Sequence, residues 1–139
     1  MKKHTDALVA LIKTIPSLAA TTYVSHAVNA DKSPVKLPYV VIHPSDGSDQ
    51  SDRFTGPSVT QHPRFVIHSV GLDYAGAQFT AEAVKTKLIV NGFGVVPTIP
   101  GEVAGRFWYE SPQPIQVDTD ASPPMIYHTA ECGFESTPV

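Results

Sequence analysis

The chain has 139 residues, 42% of them hydrophobic and 17% charged, which fits one domain with a real core and excludes a disordered segment. Its net charge of −3 and the lack of any basic run of five or more residues exclude binding to nucleic acid by charge alone. A single cysteine, Cys132, excludes an internal disulfide and a cysteine-based metal framework, and a reducing compartment fits best.

The opening stretch, MKKHTDALVALIKTIPSLAATT, imitates a secretory signal. Asp6, Lys13 and Pro16 interrupt it, however, and Leu8, Leu11, Ile12 and Ile15 fall at i, i+3, i+4 and i+7, the stripe of an amphipathic helix. Thr5 or Asp6 is expected to cap its start and Pro16 to end it. No apolar run approaches the roughly 18 residues of a membrane-spanning helix.

A short extended piece is expected at Thr22–Val28. PYVVIHP, from Pro38 to Pro44, is β-branched, aromatic and bounded by prolines, a strand with a stop at each end. The polar loop DGSDQSDRFTG follows, then a second strand, HPRFVIHSVG, from His62 to Gly71. In that strand Phe65 and Ile67 face one way and Val66, His68 and Val70 the other. Together the two strands predict a hairpin with an extended polar tip.

Leu72 to Gly92 reads as the strongest helix, with Asp73 as N-cap, Asn91-Gly92 as stop, and Lys85 and Lys87 near the end where the helix dipole favours cations. Ala77, Ala81, Val84 and Leu88 share one side; Ala75, Phe79 and Ala83 lie nearly opposite. A helix apolar on two sides is buried on two sides, so the second side must meet the first helix or a neighbouring molecule. Phe93 to Gly105 reads as loop. Arg106–Ser111 and Pro114–Asp120 read as extended pieces separated by PQP. In Met125–Ser136, Ile126, His128, Ala130, Cys132 and Phe134 share a face. The expected fold class is therefore α+β: a single domain over residues 1–139, in the order α-β-β-α-β-β, with a mainly antiparallel sheet and two helices packed on one face.

Candidate chemistry is sparse. Asp46, Asp49 and Asp52 stand at positions 1, 4 and 7 with Gly47 at 2, which fails the spacing of a helix-loop-helix calcium site. His43, His62, His68 and His128 lie in or beside strands and could meet across them, but no paired-ligand spacing requires zinc. There is no G-x-S-x-G and no phosphate-binding glycine loop, and Cys132 shares a face with Ile126 and Phe134, where it packs as a small hydrophobe. No catalytic, metal or cofactor site is expected.

PYVVIHP, the loop ending DRFTGP, the strand ending VG that runs straight into AQFTAEAVKTKL, and the closing QVDTDASPPMIYHTAECGFESTP occur in an ordered series. That series, roughly Thr5 to Pro138, resembles the tail terminator (tail completion) proteins of long-tailed bacteriophages, especially those of actinobacterial phages and prophages. The resemblance implies a small structural α+β subunit in a six-membered ring that DNA can pass through. The ring caps the tail tube, stops polymerisation of the major tail tube protein and offers a surface to a head-completion or connector protein. It further implies assembly in the host cytoplasm, a final place at the head-proximal end of the virion tail, and neither catalysis nor a cofactor. Phe79 matches a position where the family often carries a bulky aromatic, and Ser122–Tyr127 the turn into the last strand. A closed ring needs two different patches on each subunit. The side of Ala75, Phe79 and Ala83 is the expected subunit interface, and Asp46, Asp49, Asp52, Arg53 and Phe54 the expected partner-contact loop. The alternatives are another neck or head-tail connector subunit, a small cytosolic ligand-binding domain with a pocket near Pro97–Pro100, and a metal-assisted enzyme using the histidines.

Overall fold

The structure, a computed structural model, describes residues 2–27, 29, 31, 35–45, 60–119 and 125–139. Helix α1 spans Lys2–Lys13 and helix α2 Tyr74–Leu88. Strands β1 (Thr22–Val24), β2 (Tyr39–Ser45), β3 (Arg64–Gly71), β7 (Trp108–Glu110), β8 (Gln116–Asp118) and β9 (Met125–Gly133) form one sheet. Two small ribbons complete the fold: β4 (Ile89–Val90) with β5 (Phe93–Gly94), and β6 (Glu102–Ala104) with β10 (Ser136–Pro138). The predicted α+β frame holds, as α1, β2, β3, α2, the two extended pieces β7 and β8, and β9.

In the main sheet β1 runs parallel to β2; β2–β3 and β3–β9 are antiparallel. Strand β9 pairs on its far edge with β7 near its C-terminal end and with β8 near its N-terminal end. The residues of PQP separate those two edge strands, as their missing ladder donors require. Alternation along the strands sends Val40, Ile42, Phe65, Ile67, Ala130 and Cys132 to the face that the helices cover, and all six are buried. Helix α1 contributes Leu8 and Ile12 to this core and α2 contributes Val84 and Leu88. Phe134 joins them, stacked on Phe65 at 6.3 Å and edge-on to Phe107 at 5.0 Å. Each such side chain contributes about 1.5–3 kcal/mol on burial.

Two local expectations need correction. Helix α1 begins before Thr5 and Asp6, so neither caps it: Thr5 is buried, and Asp6 pairs with Lys2 one turn back at 2.7 Å. Pro16 does end the helical run, by opening a 3₁₀ turn, Pro16–Leu18. Asn91-Gly92 does not stop α2, which has already ended at Leu88. The pair, with φ of 53° and 81°, is the turn of the β4–β5 hairpin, because two consecutive left-handed residues match the twist of a two-residue hairpin. The start of α2 is as expected: Asp73 Oδ1 accepts the Gly76 N–H at 2.7 Å. Gly71, the last residue of β3, lets that first turn press onto the sheet, since a Cβ there would lie 2.5 Å from Ala77 N.

The start of α1 is fastened to the β6–β10 ribbon by buried charge. Glu102 Oε1 accepts hydrogen bonds from His4 Nε2 at 3.1 Å and Ser136 Oγ at 3.0 Å, while Lys3 Nζ ion-pairs with Oε2. Burial alone would push this carboxyl up, but the bonds from Lys3, His4 and Ser136 prevail and hold its pKa at about 2. A carboxyl depressed from 4.5 on folding stabilises the folded state. That stability is complete above the unfolded value and drains away as the pH falls from about 4.5 toward 2. Glu102→Gln is therefore expected to lower unfolding free energy by about 1.5–3 kcal/mol at pH 7. The gap to the parent protein should narrow through that acid window in urea titrations; an equal gap at pH 7 and pH 2 would contradict the assignment.

Candidate functional site

Two of the surfaces outside the core, among the described residues, bring several large apolar or aromatic side chains together in one region. The first is the solvent side of α2. Ala77, Ala81, Val84 and Leu88 are buried against the sheet, as the angular arithmetic predicts. Of the predicted interface residues, Phe79 is 71% exposed, Ala75 is exposed and Ala83 half-buried. Phe79 thus does not pack against α1, which was one of its two expected partners. Leu72 and Tyr74, at the start of the helix, are also mostly exposed. At the other end of α2 the β4–β5 hairpin and the segment after it present Val90, Phe93 and Val96, each about half exposed or more. The guanidinium of Arg106 lies 5.5 Å from the Phe93 ring and donates to the Gly94 carbonyl at 2.9 Å, so that ring is held in place. Sequence reading missed this second cluster because Asn91-Gly92 served equally as a helix stop.

The second surface is the face of the sheet opposite the helices. It forms an open groove of about 560 Å³ whose floor includes Tyr39, Val41, His43, His68, Val70 and Tyr127. The register explains the gathering: Val41 pairs with His68 and Val70 with Tyr127 across adjacent strands. His43 is diagonal to His68, and their rings meet edge-on at 5.0 Å; His68 and Tyr127 lie 5.2 Å apart. Burial, then repulsion from His43, lowers the pKa of His68. Tyr39 is raised, by burial first and then by Asp118 and Tyr23.

The other histidines go elsewhere. His128 is on the helix side of the sheet, where Ser111 Oγ meets its Nε2 at 2.9 Å; His62 lies 3.8 Å from Glu135. Among the described residues no three His, Cys, Asp or Glu side chains form a metal-binding cluster. Cys132 is fully buried, and burial pushes its thiol up to about 12, so it packs as a small hydrophobe, as expected. Ile99, between Pro97 and Pro100, is buried in the core at 4% exposure, and the groove is lined by other segments. The loop residues Asp46, Asp49, Asp52, Arg53 and Phe54 fall outside the described residues.

Neither a protein-family model nor a curated protein matches the chain. Among solved structures the fold is similar to that of a chain in the virion of a native gene transfer agent (GTA) particle. The TM-score is 0.52 and the identity 17%, over 93% of this chain and 81% of that one. At that identity the likeness establishes a shared fold.

The two sides of α2 should respond oppositely to charge. Leu88→Asp puts an unpaired carboxylate into a fully buried position at a cost of several kcal/mol, and is expected to unfold the domain. Phe79→Asp should leave thermal stability within about 0.5 kcal/mol of the parent. Thermal melts that rank the two variants the other way would mean the helix faces are exchanged. In the groove, proton NMR should place the His68 midpoint below the ordinary 6.5. His43→Gln should raise it, because a like charge is removed; an unmoved midpoint would show that burial acts alone.

Proposed function

We propose that this protein is a tail terminator of a phage-like particle: a structural, non-catalytic subunit of a ring that caps the tail tube, halts its polymerisation and presents the joining surface for the head. The observation that carries the reading is the likeness, across 93% of the chain, to a chain of a gene transfer agent virion. It comes beside the ordered motifs that resemble tail terminators. The form of the surface supports it too. A helix whose inner side is core and whose outer side keeps Phe79 in solvent suits a subunit that is complete only in an assembly. In this reading residues 1–139 are one terminator domain, and the side of Ala75, Phe79 and Ala83 is a subunit contact within a hexamer.

The acidic segment with Asp46, Asp49, Asp52, Arg53 and Phe54 is the proposed contact with the adjoining tube protein or head connector, where opposed charge would set register more than affinity. DNA passes through the ring without sequence-specific contacts. The protein acts in the virion, at the head-proximal end of the tail, after assembly in the host cytoplasm.

Deleting the coding sequence from a particle-producing strain should yield headless tails of uncontrolled length in electron micrographs, and the unaltered gene should restore fixed length. Phe79→Asp, folded but with a charge in a desolvated contact, should fail to restore it. Tails of normal length without heads would assign the chain to another neck position. Intact particles in the deletion strain would remove the assembly role.

A further inference from the structure

Large apolar side chains stand exposed toward each end of helix α2, and the two groups differ in charge. Toward its N-terminal end are Leu72, Tyr74 and, about 140° farther round the helix, Phe79, a stretch in which Asp73 is the one acid and no base occurs; Glu82 follows mid-helix, one turn before Lys85. At its C-terminal end are Val90, Phe93 and Val96, flanked by Lys85, Lys87 and Arg106. Glu102, the acid between Val96 and Arg106, is turned inward to Lys3 and His4 and does not offset that positive charge at the surface. Phe79 and Leu88, the last helical residue before the hairpin, are nine residues apart, about 13 Å along the helix, and Phe79 and Phe93 both stay mostly exposed, so the two groups do not cover one another within one chain.

We infer that the occupant of each group is the other group on a second copy of this chain, the β4–β5 hairpin of one subunit docking on the N-terminal half of α2 of the next. Two unlike patches that complement each other make a head-to-tail contact, and such a contact repeats around a ring instead of stopping at a dimer. Apolar area supplies the attraction, with Phe93 held for it under Arg106. The acidic and basic halves permit only one polarity, since like ends would oppose like charge. The inference rests on the ring reading and adds which two surfaces meet.

Crosslinking tests it directly. Ala75→Cys and Val96→Cys, which leave both the Phe79 and Phe93 rings in place, are made singly and together in the full chain. The buried Cys132 stays inert, and both sites are open enough for the variants to melt like the parent. With a short bis-maleimide, the double variant should give a ladder of covalent multimers and each single variant only monomer. An equal mixture of the two single variants should give covalent dimers and nothing longer. Dimers from either single variant alone would mean a two-fold contact and overturn the inference. Rings seen by native mass spectrometry or in particles, without the ladder, would overturn the pairing and leave the ring reading intact. A chain that is monomeric when purified and uncrosslinked in particle-producing cells would overturn both.

Discussion

The pairing of β9 with β3 decides which side chains of this protein are core and which are surface. Because side chains alternate with a period of two, a slip of one residue would move Ala130 and Cys132 to the groove and bring Thr129 and Glu131 under the helices. Several contacts fix the register. Gly133 stands where a Cβ would lie 2.7 Å from the Pro63 carbonyl and 2.9 Å from the Trp108 ring, so no other residue of the strand fits that slot unchanged. Glu131 then meets Arg64 at 3.2 Å, and the Arg64 guanidinium lies 5.3 Å from Trp108. The aromatic groove on one face and the helix-covered core on the other are both products of this one alignment.

Much of that was legible in the sequence where the signal was local. The apolar stripes of α1 and α2, the β-branched run of β2, the alternation in β3 and β9, and the Asp73 cap each depend on residues within a few positions of one another. That Phe79 points away from the sheet followed from helical angles alone; that it stands in solvent and not against α1 did not. What could not be read depends on which distant segments meet. Nothing near Glu102 announces that its partners are Lys3, His4 and Ser136. The parallel pairing of the three-residue β1 with β2 has no sequence pattern of its own. The meeting of His43, His68 and Tyr127 needs three strands in register. Asn91-Gly92 was ambiguous for a different reason: a left-handed pair is good chemistry for ending a helix and for turning a hairpin, and only the two-residue strands on either side decide between them.

The two exposed surfaces differ in kind. The groove is polar-aromatic, and two of its rings lie edge-on and tilted against His68, so they already satisfy one another in part. On the outer side of α2 and its hairpin Phe93 has the Arg106 guanidinium beside it, but Phe79 and Phe93 both remain mostly in water, which costs hydrophobic free energy in an isolated chain. Covering those side chains would recover it. The sheet also protects its ends. Strand β9 has both edges paired, and the outer strands β1, β7 and β8 are three residues each, which limits edge-to-edge association.

The Glu102 clamp has a bearing on biosynthesis. His4 and Glu102 are 98 residues apart, and at translation rates of about 5–20 residues per second that separation is roughly 5–20 s of waiting. Through that interval α1 is a short helix without its anchor, and helices of about a dozen residues are marginal in water on their own. Ser136, the third hydrogen-bond donor to the carboxylate, emerges 34 residues later still. Helix α1 is thus made early and fastened late, once both Glu102 and Ser136 have been produced.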